Sequence, residues 1–314
     1  MKIVFVEPLG VNEVLLQKTK DHFERSGNEF VYYTGRNESP DEIVRRAEDA
    51  DVLTISNIPV TSGIIERCKN LKLINVAFTG VDHIDLDACK KYGISVCNAS
   101  GYATIAVMEL TMGVTLSLLR NIPKMDSETR ELKGRNNYLG TELYGKTVGV
   151  VGTGAIGLSV AQMFFNFGCK IIAYSRTKKP LGFISYLPLD EVFSGADIIS
   201  LHLPATKETV GLIGIELLSK MKPEAVIINT ARGQIIDYNV LANLLKDGKI
   251  AGAGIDVYEM EPPLPEDHPI LSAPNTVLLP HIGYATKEAM IKRLDIVRDN
   301  IDSFINGNLQ NKII

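Results

Sequence analysis

Three side chains that together could reduce a ketone lie in the second half of the chain. Arg232 follows one predicted strand, Glu261 lies in a segment (256–263) after a second, and His281 follows a third. The carboxyl ends of the strands line the ligand crevice of a doubly wound sheet. The three groups can therefore meet at one mouth.

Each of these residue types suits one task in that chemistry. The forked guanidinium of Arg232 can clamp a carboxylate and polarise the neighbouring ketone. His281 is a natural proton donor near neutral pH, and a carboxylate such as Glu261 orients an imidazole and stabilises its protonated form. The combination favours reduction of a 2-keto acid, although an Arg, a Glu or a His taken alone is more often a surface or structural group.

A glycine turn upstream indicates where a reducing cofactor would bind. Gly152-Thr153-Gly154-Ala155-Ile156-Gly157 follows the apolar run 147–151 and precedes a predicted helix at 158–167. In such a turn the first glycine permits the bend, the second lets a pyrophosphate approach, and the third lets helix pack on strand. The N–H groups and dipole of the helix N-terminus favour phosphate. This context predicts a dinucleotide site rather than a glycine-rich structural turn.

The tip of the next strand bears on which dinucleotide is used. An acidic residue there would bind the 2′-hydroxyl of the adenosine ribose in NAD. The chain instead has Ser175-Arg176-Thr177, followed by Lys178 and Lys179. A hydroxyl and a guanidinium pair with a 2′-phosphate, whereas a carboxylate repels it. The sequence thus favours NADP over NAD, and a solvated basic turn that accepts either cofactor is the alternative.

Strands and helices alternate along the chain, which predicts an α/β fold with parallel sheets. The predicted strands lie at 3–6, 30–33, 51–55, 73–76, 147–151, 170–174, 197–201, 225–229, 253–257 and 276–279. A long apolar helix at 105–120 is interpreted mainly as core between two domains. The last thirty residues or so form a helix and a short tail that could return to the first domain.

Composition and targeting signals set the class of protein. Of 314 residues, 45% are hydrophobic and 22% charged, as in ordinary globular proteins, and the net charge of -4 provides no footprint for nucleic acid or acidic membranes. The four cysteines have no metal-binding spacing, so no metal is expected. They are expected to be free thiols in a reducing compartment. The apolar run at the start of the chain is too short for a signal peptide, and no apolar run is long enough to span a membrane. A cytoplasmic location is therefore expected.

Several motifs, in the right order, resemble the D-isomer-specific 2-hydroxyacid dehydrogenase family over nearly the whole chain. They are Val76-Ala77-Phe78-Thr79-Gly80-Val81-Asp82, Gly101-Tyr102-Ala103-Thr104, Gly145-Lys146-Thr147 before the glycine turn, Leu201-His202-Leu203-Pro204, Met221-Lys222-Pro223, Asn229-Thr230-Ala231-Arg232-Gly233 and Pro280-His281-Ile282-Gly283. So many motifs in sequence are far more specific than any one of them.

The resemblance implies a two-domain enzyme. A flavodoxin-like substrate domain would comprise 1–99 and 285–314, and a Rossmann cofactor domain (100–284) would be inserted between these segments, both with doubly wound parallel sheets. The active site would lie in the cleft, where closure can exclude water. The family also implies a homodimer, with the apolar helix from Ile105 at a two-fold interface.

The same resemblance implies particular contacts. Arg232, Glu261 and His281 would be catalytic, and the substrate would meet Arg232, His281, Thr79, Gly80 and Tyr102. The cofactor would be bound by Gly152, Gly154, Ala155, Ile156, Gly157, Ser175, Arg176, Thr177, His202, Leu203, Pro204, Thr209, Thr230, Ala231, Arg232, Asp256, His281 and Gly283. For Asp256, a strand-end carboxylate satisfied by backbone N–H groups is the alternative. Among the remaining histidines, His22 is expected to be solvated on a helix, and His83 and His268 are both expected to be loop or capping residues.

Two departures from the usual family pattern stand out. The basic residues after Ser175 resemble those of NADP-preferring hydroxypyruvate and glyoxylate reductases. Tyr284 stands where a small residue commonly follows the His-x-Gly, so it could shape the side-chain pocket or pack at the domain junction. Which keto acid is used stays open, because pyruvate, hydroxypyruvate, glyoxylate and branched keto acids differ by a few atoms.

Related functions are weighed on the same residues. Formate dehydrogenases pair the histidine with an amide, against which Glu261 argues. Phosphoglycerate dehydrogenases often carry a C-terminal regulatory domain, whereas this chain ends about thirty residues after His281, so only a short form is expected. A cofactor-sensing corepressor on the same fold is the alternative from another class, but the sequence has no disordered interaction tail and no basic patch.

Overall fold

The computed structural model describes residues 1–314, and the chain divides into two compact units. The first unit consists of Met1–Ala103 and Ala285–Ile314, and the second of Thr104–Tyr284. The chain thus leaves the first unit after Ala103, directly before the long apolar helix, rather than after residue 99. It returns after Tyr284.

The first unit is built on a five-stranded parallel sheet. Its strands are β1 (Lys2–Phe5), β2 (Glu29–Tyr32), β3 (Val52–Ile55), β4 (Leu73–Val76) and β5 (Ser95–Asn98). They lie in the order β2-β1-β3-β4-β5, which is the flavodoxin-like order. β3 and β4 are buried along their full length, as the continuous apolar runs predict.

Helices α1 (Glu13–Arg25), α2 (Pro40–Ala47), α3 (Ser62–Arg67), α4 (Leu86–Tyr92) and α11 (Lys287–Ile305) complete this unit. The Asn12 side chain accepts the Leu15 N–H to cap α1, and Pro40 occupies the first turn of α2. α11 packs on β4, where the buried Asn75 amide donates to the carbonyl of Val297 at 2.9 Å. The tail then pairs with β5 through the backbone of Val96.

The second unit has a seven-stranded parallel sheet. Its strands are β6 (Thr147–Val151), β7 (Lys170–Tyr174), β8 (Ile184–Tyr186), β9 (Ile198–Leu201), β10 (Val226–Asn229), β11 (Gly252–Ile255) and β12 (Thr276–Leu278). The order is β12-β11-β10-β9-β6-β7-β8. The six strands β8-β7-β6-β9-β10-β11 follow the Rossmann order, and β12 adds an edge strand. The order reverses between β6 and β9, and the crevice at that point is where such folds bind ligands.

The helices of this unit are α5 (Thr104–Leu119), α6 (Ile122–Arg130), α7 (Ala155–Asn166), α8 (Leu189–Gly195), α9 (Ile215–Leu218) and α10 (Tyr238–Lys246). α5 packs on the unit's own sheet, so closely that a Cβ on Gly254 would lie 2.2 Å from Val114. By contrast, α6 buries none of its residues. No single helix is long and apolar enough to cross a membrane; α5 and α6, bent by 60°, meet that length and composition test only as a pair.

Candidate active site

Arg232 is held by a turn that one buried amide organises. Asn229, the last residue of β10, is fully buried. Its side-chain oxygen accepts the Ala231 N–H at 3.1 Å, and its Nδ2 donates to the Arg232 carbonyl at 2.9 Å. The half-buried guanidinium donates from Nη1 to the Ala231 carbonyl at 2.7 Å. The Arg232 backbone is thus fixed by Asn229, which the sequence motif contains but whose role sequence reasoning did not identify.

His281 and Glu261 form the hydrogen-bonded pair that the sequence predicts, and their acid-base role stays a prediction. The imidazole Nδ1 lies 2.9 and 3.0 Å from the two carboxylate oxygens of Glu261. A carboxylate can only accept, so Nδ1 donates and Nε2 is the nitrogen that can exchange a proton with a ligand. The His281 side chain is 20% exposed and that of Glu261 61%, so the pair is open to small molecules. Tyr284 meets the His281 ring edge to face, with centroids 5.4 Å apart.

Asp256 fixes the backbone directly after His281. It is 1% exposed, and its two oxygens accept the N–H groups of Ile282 at 2.8 Å and Gly283 at 2.7 Å. Burial raises the pKa of this carboxyl group, although the two N–H donors work against that rise. A Cβ on Gly283 would lie 2.9 Å from the same carboxylate, so glycine is needed there. His281 itself has φ +58, a left-handed conformation that these bonds help to hold.

The loops that carry Arg232 and Glu261 are packed against one another. A Cβ on Gly233 would lie 1.7 Å from the carbonyl carbon of Tyr258. The buried Tyr238 hydroxyl donates to the Val257 carbonyl and accepts from the Asn229 amide at 3.4 Å. Tyr238 therefore links both loops, and no sequence pattern pointed to it.

The glycine turn fits a pyrophosphate. Gly152 has φ +99, and Gly157 lies so close that its Cβ would be 1.9 Å from the Gly152 carbonyl oxygen. Gly154 is exposed, with nothing within 4 Å of its Cβ position, so the approach to the backbone is open. α7 begins directly after Gly154 without a side-chain cap. Its first N–H groups are thus available for an anion.

The residues expected at the adenosine end are mostly exposed. Gly152 donates its N–H to the carbonyl of Tyr174, the last residue of β7, at 2.8 Å. Ser175 is half-buried, whereas Arg176 and Thr177 are exposed. Glu208 lies near enough to Arg176 to interact electrostatically; a hydrogen bond from Thr206 and this positive charge lower the pKa of Glu208.

Other predicted cofactor residues have partners within the protein. The His202 ring bonds Ser200 Oγ at 2.8 Å, and burial lowers the pKa of His202 to about 4, so the ring is neutral at ordinary pH. The Thr209 hydroxyl donates to the Pro204 carbonyl, and the Thr230 hydroxyl lies 3.0 Å from that of Thr111. For both threonines, these bonds favour backbone rather than side-chain contacts with a ligand.

The predicted substrate residues of the first unit lie at the ends of β4 and β5. Asn98 donates from its amide to the Thr79 carbonyl at 2.7 Å, which orients the Thr79-Gly80 backbone. Tyr102 is only 4% exposed and packs against Phe78 and Arg293. Within its own unit it is a core residue.

The remaining histidines have structural surroundings. His22 is exposed on α1 and bonds Asp302 of α11 at 2.8 Å. His83 lies in a turn, and His268 caps a 3-10 turn while its Nε2 lies 3.1 Å from Glu259. No group of three or more His, Cys, Asp or Glu side chains could hold a metal ion.

Known proteins are similar to this chain in sequence and in fold. The family model described as D-isomer specific 2-hydroxyacid dehydrogenase, NAD binding domain, matches residues 112–283. A hydroxypyruvate reductase of Thermotoga maritima is 40% identical over 283 residues, which is 89% of this chain and 88% of that protein. A D-3-phosphoglycerate dehydrogenase of Methanocaldococcus jannaschii is 39% identical over 87% of this chain, but the match spans only 53% of its length.

A solved structure agrees over the full length. An acyclic imino acid reductase in complex with NADPH and D-Arg superposes with a TM-score of 0.91 and 30% identity, and all of both chains is covered. The chain spans only 53% of that Methanocaldococcus jannaschii dehydrogenase and 58% of a D-3-phosphoglycerate dehydrogenase of Archaeoglobus fulgidus. The family match covers more than half of the chain, including the glycine turn and all three catalytic candidates. This protein therefore belongs to the D-isomer specific 2-hydroxyacid dehydrogenase family.

Proposed function

We propose that the protein is an NAD(P)H-dependent reductase that converts small 2-keto acids into D-2-hydroxy acids. The observation that carries this proposal is the Glu261–His281 pair, with Nδ1 within 3.0 Å of both carboxylate oxygens. The loop that carries Glu261 is packed against the loop that carries Arg232, through Tyr258 and Gly233. The hydroxypyruvate reductase of Thermotoga maritima supports the same chemistry.

The roles follow from the chemistry of each group. Arg232 binds the substrate carboxylate and draws electron density towards the ketone oxygen. His281 donates the proton on Nε2 to that oxygen as it becomes an alkoxide, while the other proton stays on Nδ1, hydrogen-bonded to Glu261. Glu261 orients the ring and stabilises its charged form before transfer. When bound, the nicotinamide cofactor supplies the hydride to the carbonyl carbon.

The substrate contacts in the first unit are part of the proposal. Backbone N–H groups of Thr79 and Gly80 would bind the substrate carboxylate. The Asn98–Thr79 bond supports this role, because a fixed carbonyl also fixes the direction of the following N–H. Tyr102 would act chiefly through its packing on Phe78, since its side chain is buried.

NADP(H) is the proposed cofactor. The exposed Arg176 and Thr177 beside Ser175, together with the lack of an acid at the strand tip, support a site for the 2′-phosphate. The imino acid reductase of the same fold was solved with NADPH. The ratio of kcat/KM for NADPH and NADH tests this part, and a clear preference for NADH would contradict it.

We also propose a homodimer. Leu132 is 96% exposed, Leu139 82% and Tyr144 77%, all in the stretch after α6, which itself buries nothing. Such apolar exposure suits a partner surface. Sedimentation at micromolar concentration would show a dimer, and a monomer there would contradict the proposal.

The free, buried thiols Cys68, Cys89, Cys97 and Cys169 support the expected cytoplasmic location.

One experiment tests the activity itself. Purified protein is mixed with NADPH, and separately with NADH, and with pyruvate, hydroxypyruvate, glyoxylate or a branched keto acid, and cofactor oxidation is followed over many turnovers. We expect sustained turnover with at least one keto acid. Sub-stoichiometric oxidation with all of them would favour the corepressor alternative instead.

A further inference from the structure

The phenol of Tyr186 joins the glycine turn to the segment that follows β7. We call residues 175–180 the basic tip. The Tyr186 hydroxyl donates to Thr153 Oγ1 in the glycine turn at 3.1 Å, and it accepts the backbone N–H of Lys179 at 3.1 Å. Thr153 is 2% exposed and Tyr186 is half-buried, so the bond at the Thr153 end is partly buried, whereas the bond at the Lys179 end lies at the surface.

Both ends of the basic tip are therefore tied to the same turn. At its start, the Tyr174 carbonyl accepts the Gly152 N–H. At its end, Lys179 is held through Tyr186 to Thr153. Tyr186 is itself placed by the parallel pairing of β8 with β7, in register with Ala173. Between the two ties, the tip presents exposed side chains, among them Arg176, Thr177 and Lys178.

We propose that Tyr186 is a positioning residue that determines cofactor specificity by holding the basic tip ready for the 2′-phosphate of NADP(H). This inference rests on the NADP(H) preference proposed above. Long side chains on an untethered loop lose conformational entropy when they bind a phosphate, and that loss weakens binding. A loop tied at both ends loses less. NADH has no 2′-phosphate, so its binding gains little from the order of the tip.

The variant Tyr186→Phe tests the bridge with minimal change of shape. It removes both hydrogen bonds, and a net hydrogen bond corresponds to about a fivefold change in an equilibrium constant. We expect kcat/KM for NADPH to fall by about fivefold or more through KM, and that for NADH to stay within about twofold. Tyr92→Phe is the matched control, since its hydroxyl donates to the exposed Glu66 on the surface of the first unit.

The other end of the bridge provides a double-mutant cycle. Thr153→Val removes the acceptor and keeps the shape, whereas Thr153→Ser keeps a hydroxyl. We expect Thr153→Val to lower the NADPH/NADH ratio as Tyr186→Phe does, the double variant to lower it little further, and Thr153→Ser to retain it. Trypsin should also cleave after Arg176 and Lys178 faster in Tyr186→Phe than in Tyr92→Phe.

The outcomes separate the two proposals. A wild-type protein without preference for NADPH contradicts the proposed cofactor, and the role of Tyr186 falls with it. A wild-type preference that survives Tyr186→Phe overturns the role of Tyr186 alone. Equal losses with NADPH and NADH, or unchanged tryptic cleavage of the tip, also overturn it, because either result means that the bridge does not order the tip selectively.

Discussion

Gly233 lies against Tyr258 so closely that no side chain fits between their backbones. A Cβ at position 233 would be 1.7 Å from the Tyr258 carbonyl carbon and 1.9 Å from its oxygen. This contact sets the distance between the turn that carries Arg232 and the segment that leads to Glu261. The spacing of the proposed catalytic groups thus depends on a residue with no functional group.

Replacing Gly233 with Ala should force these two backbones apart. We expect a loss of about 3 kcal/mol in the free energy of unfolding, which lowers Tm by roughly 6–12 °C for a unit of this size. Calorimetry measures the effect, and kcat should fall as well. Gly182→Ala is the control, since nothing lies within 4 Å of its Cβ position. Equal Tm values for the two variants would contradict the steric argument.

Replacing His281 with Ala should remove the proton donor. We expect kcat to fall by at least about a hundredfold, a much larger effect than any change in the dissociation constant for NADPH, which His281 is also expected to contact. Stopped-flow measurement of hydride transfer and a fluorescence titration check the two quantities. His22→Ala on the exposed face of α1 should keep wild-type kcat. A near-normal rate for His281→Ala would overturn the assignment.

Replacing Glu261 with Gln should slow reduction. The carboxylate can only accept a hydrogen bond and so holds the His281 ring with Nδ1 as the donor, whereas an amide can present a donor there and no longer fixes the ring. We expect kcat at pH 7 to fall about tenfold or more. Glu266→Gln, an exposed neighbour in the same segment, should keep the wild-type kcat. An unchanged kcat in Glu261→Gln would mean that the pair plays no part in proton transfer.

Replacing Arg232 with Lys should show whether the forked guanidinium matters beyond its charge. A lysine keeps the cation but loses the bidentate geometry, so kcat/KM for the keto acid should fall by about ten- to a hundredfold. The KM for NADPH should change much less. Arg67→Lys, an exposed pair partner of Asp41 in the first unit, is the control. Full activity in Arg232→Lys would reduce the role of this residue to charge alone.

The lowered pKa of His202 should make the stability of the fold depend on pH. Burial holds the pKa of His202 at about 4, below its ordinary value of 6.5, so the unfolded chain binds a proton more readily than the folded one. Stability should therefore fall as pH drops from 6.5 to 4, by about 2 kcal/mol after allowance for partial exposure. Urea titrations across this range measure it. In His202→Asn this part of the pH dependence should disappear; an unchanged slope would show that other groups cause it.

Long apolar runs and strand-end motifs made much of this structure predictable. β4 lies at 73–76 as predicted, and Glu261 and His281 meet because each follows a parallel strand of one sheet. β5 and β8 were not predicted, since Ser95–Asn98 and Ile184–Tyr186 are short and partly polar. α6 was missed for a similar reason, because it has no buried face and thus no apolar period.

Contacts between distant residues were beyond the sequence. Tyr238 supports the Arg232 and Glu261 loops from a helix, and Tyr186 on β8 reaches past β7 to Thr153 in the turn after β6. Neither tyrosine stands in a motif, because a single hydroxyl at a tertiary contact has no periodic signal. For Asp256 the sequence left two roles open, and the structure shows both carboxylate oxygens accepting backbone N–H groups, while a contact with the cofactor stays a prediction.

The division of the first unit has a consequence for synthesis on the ribosome. All of Thr104–Tyr284 is translated before α11, which covers β4, and before the tail that bonds Val96. The second unit can thus fold during translation, while β4 of the nascent first unit still lacks the helix that covers it. We expect this uncovered face to be accessible to chaperones until α11 is made, and the hydrogen bond from Asn75 to Val297 marks its closure.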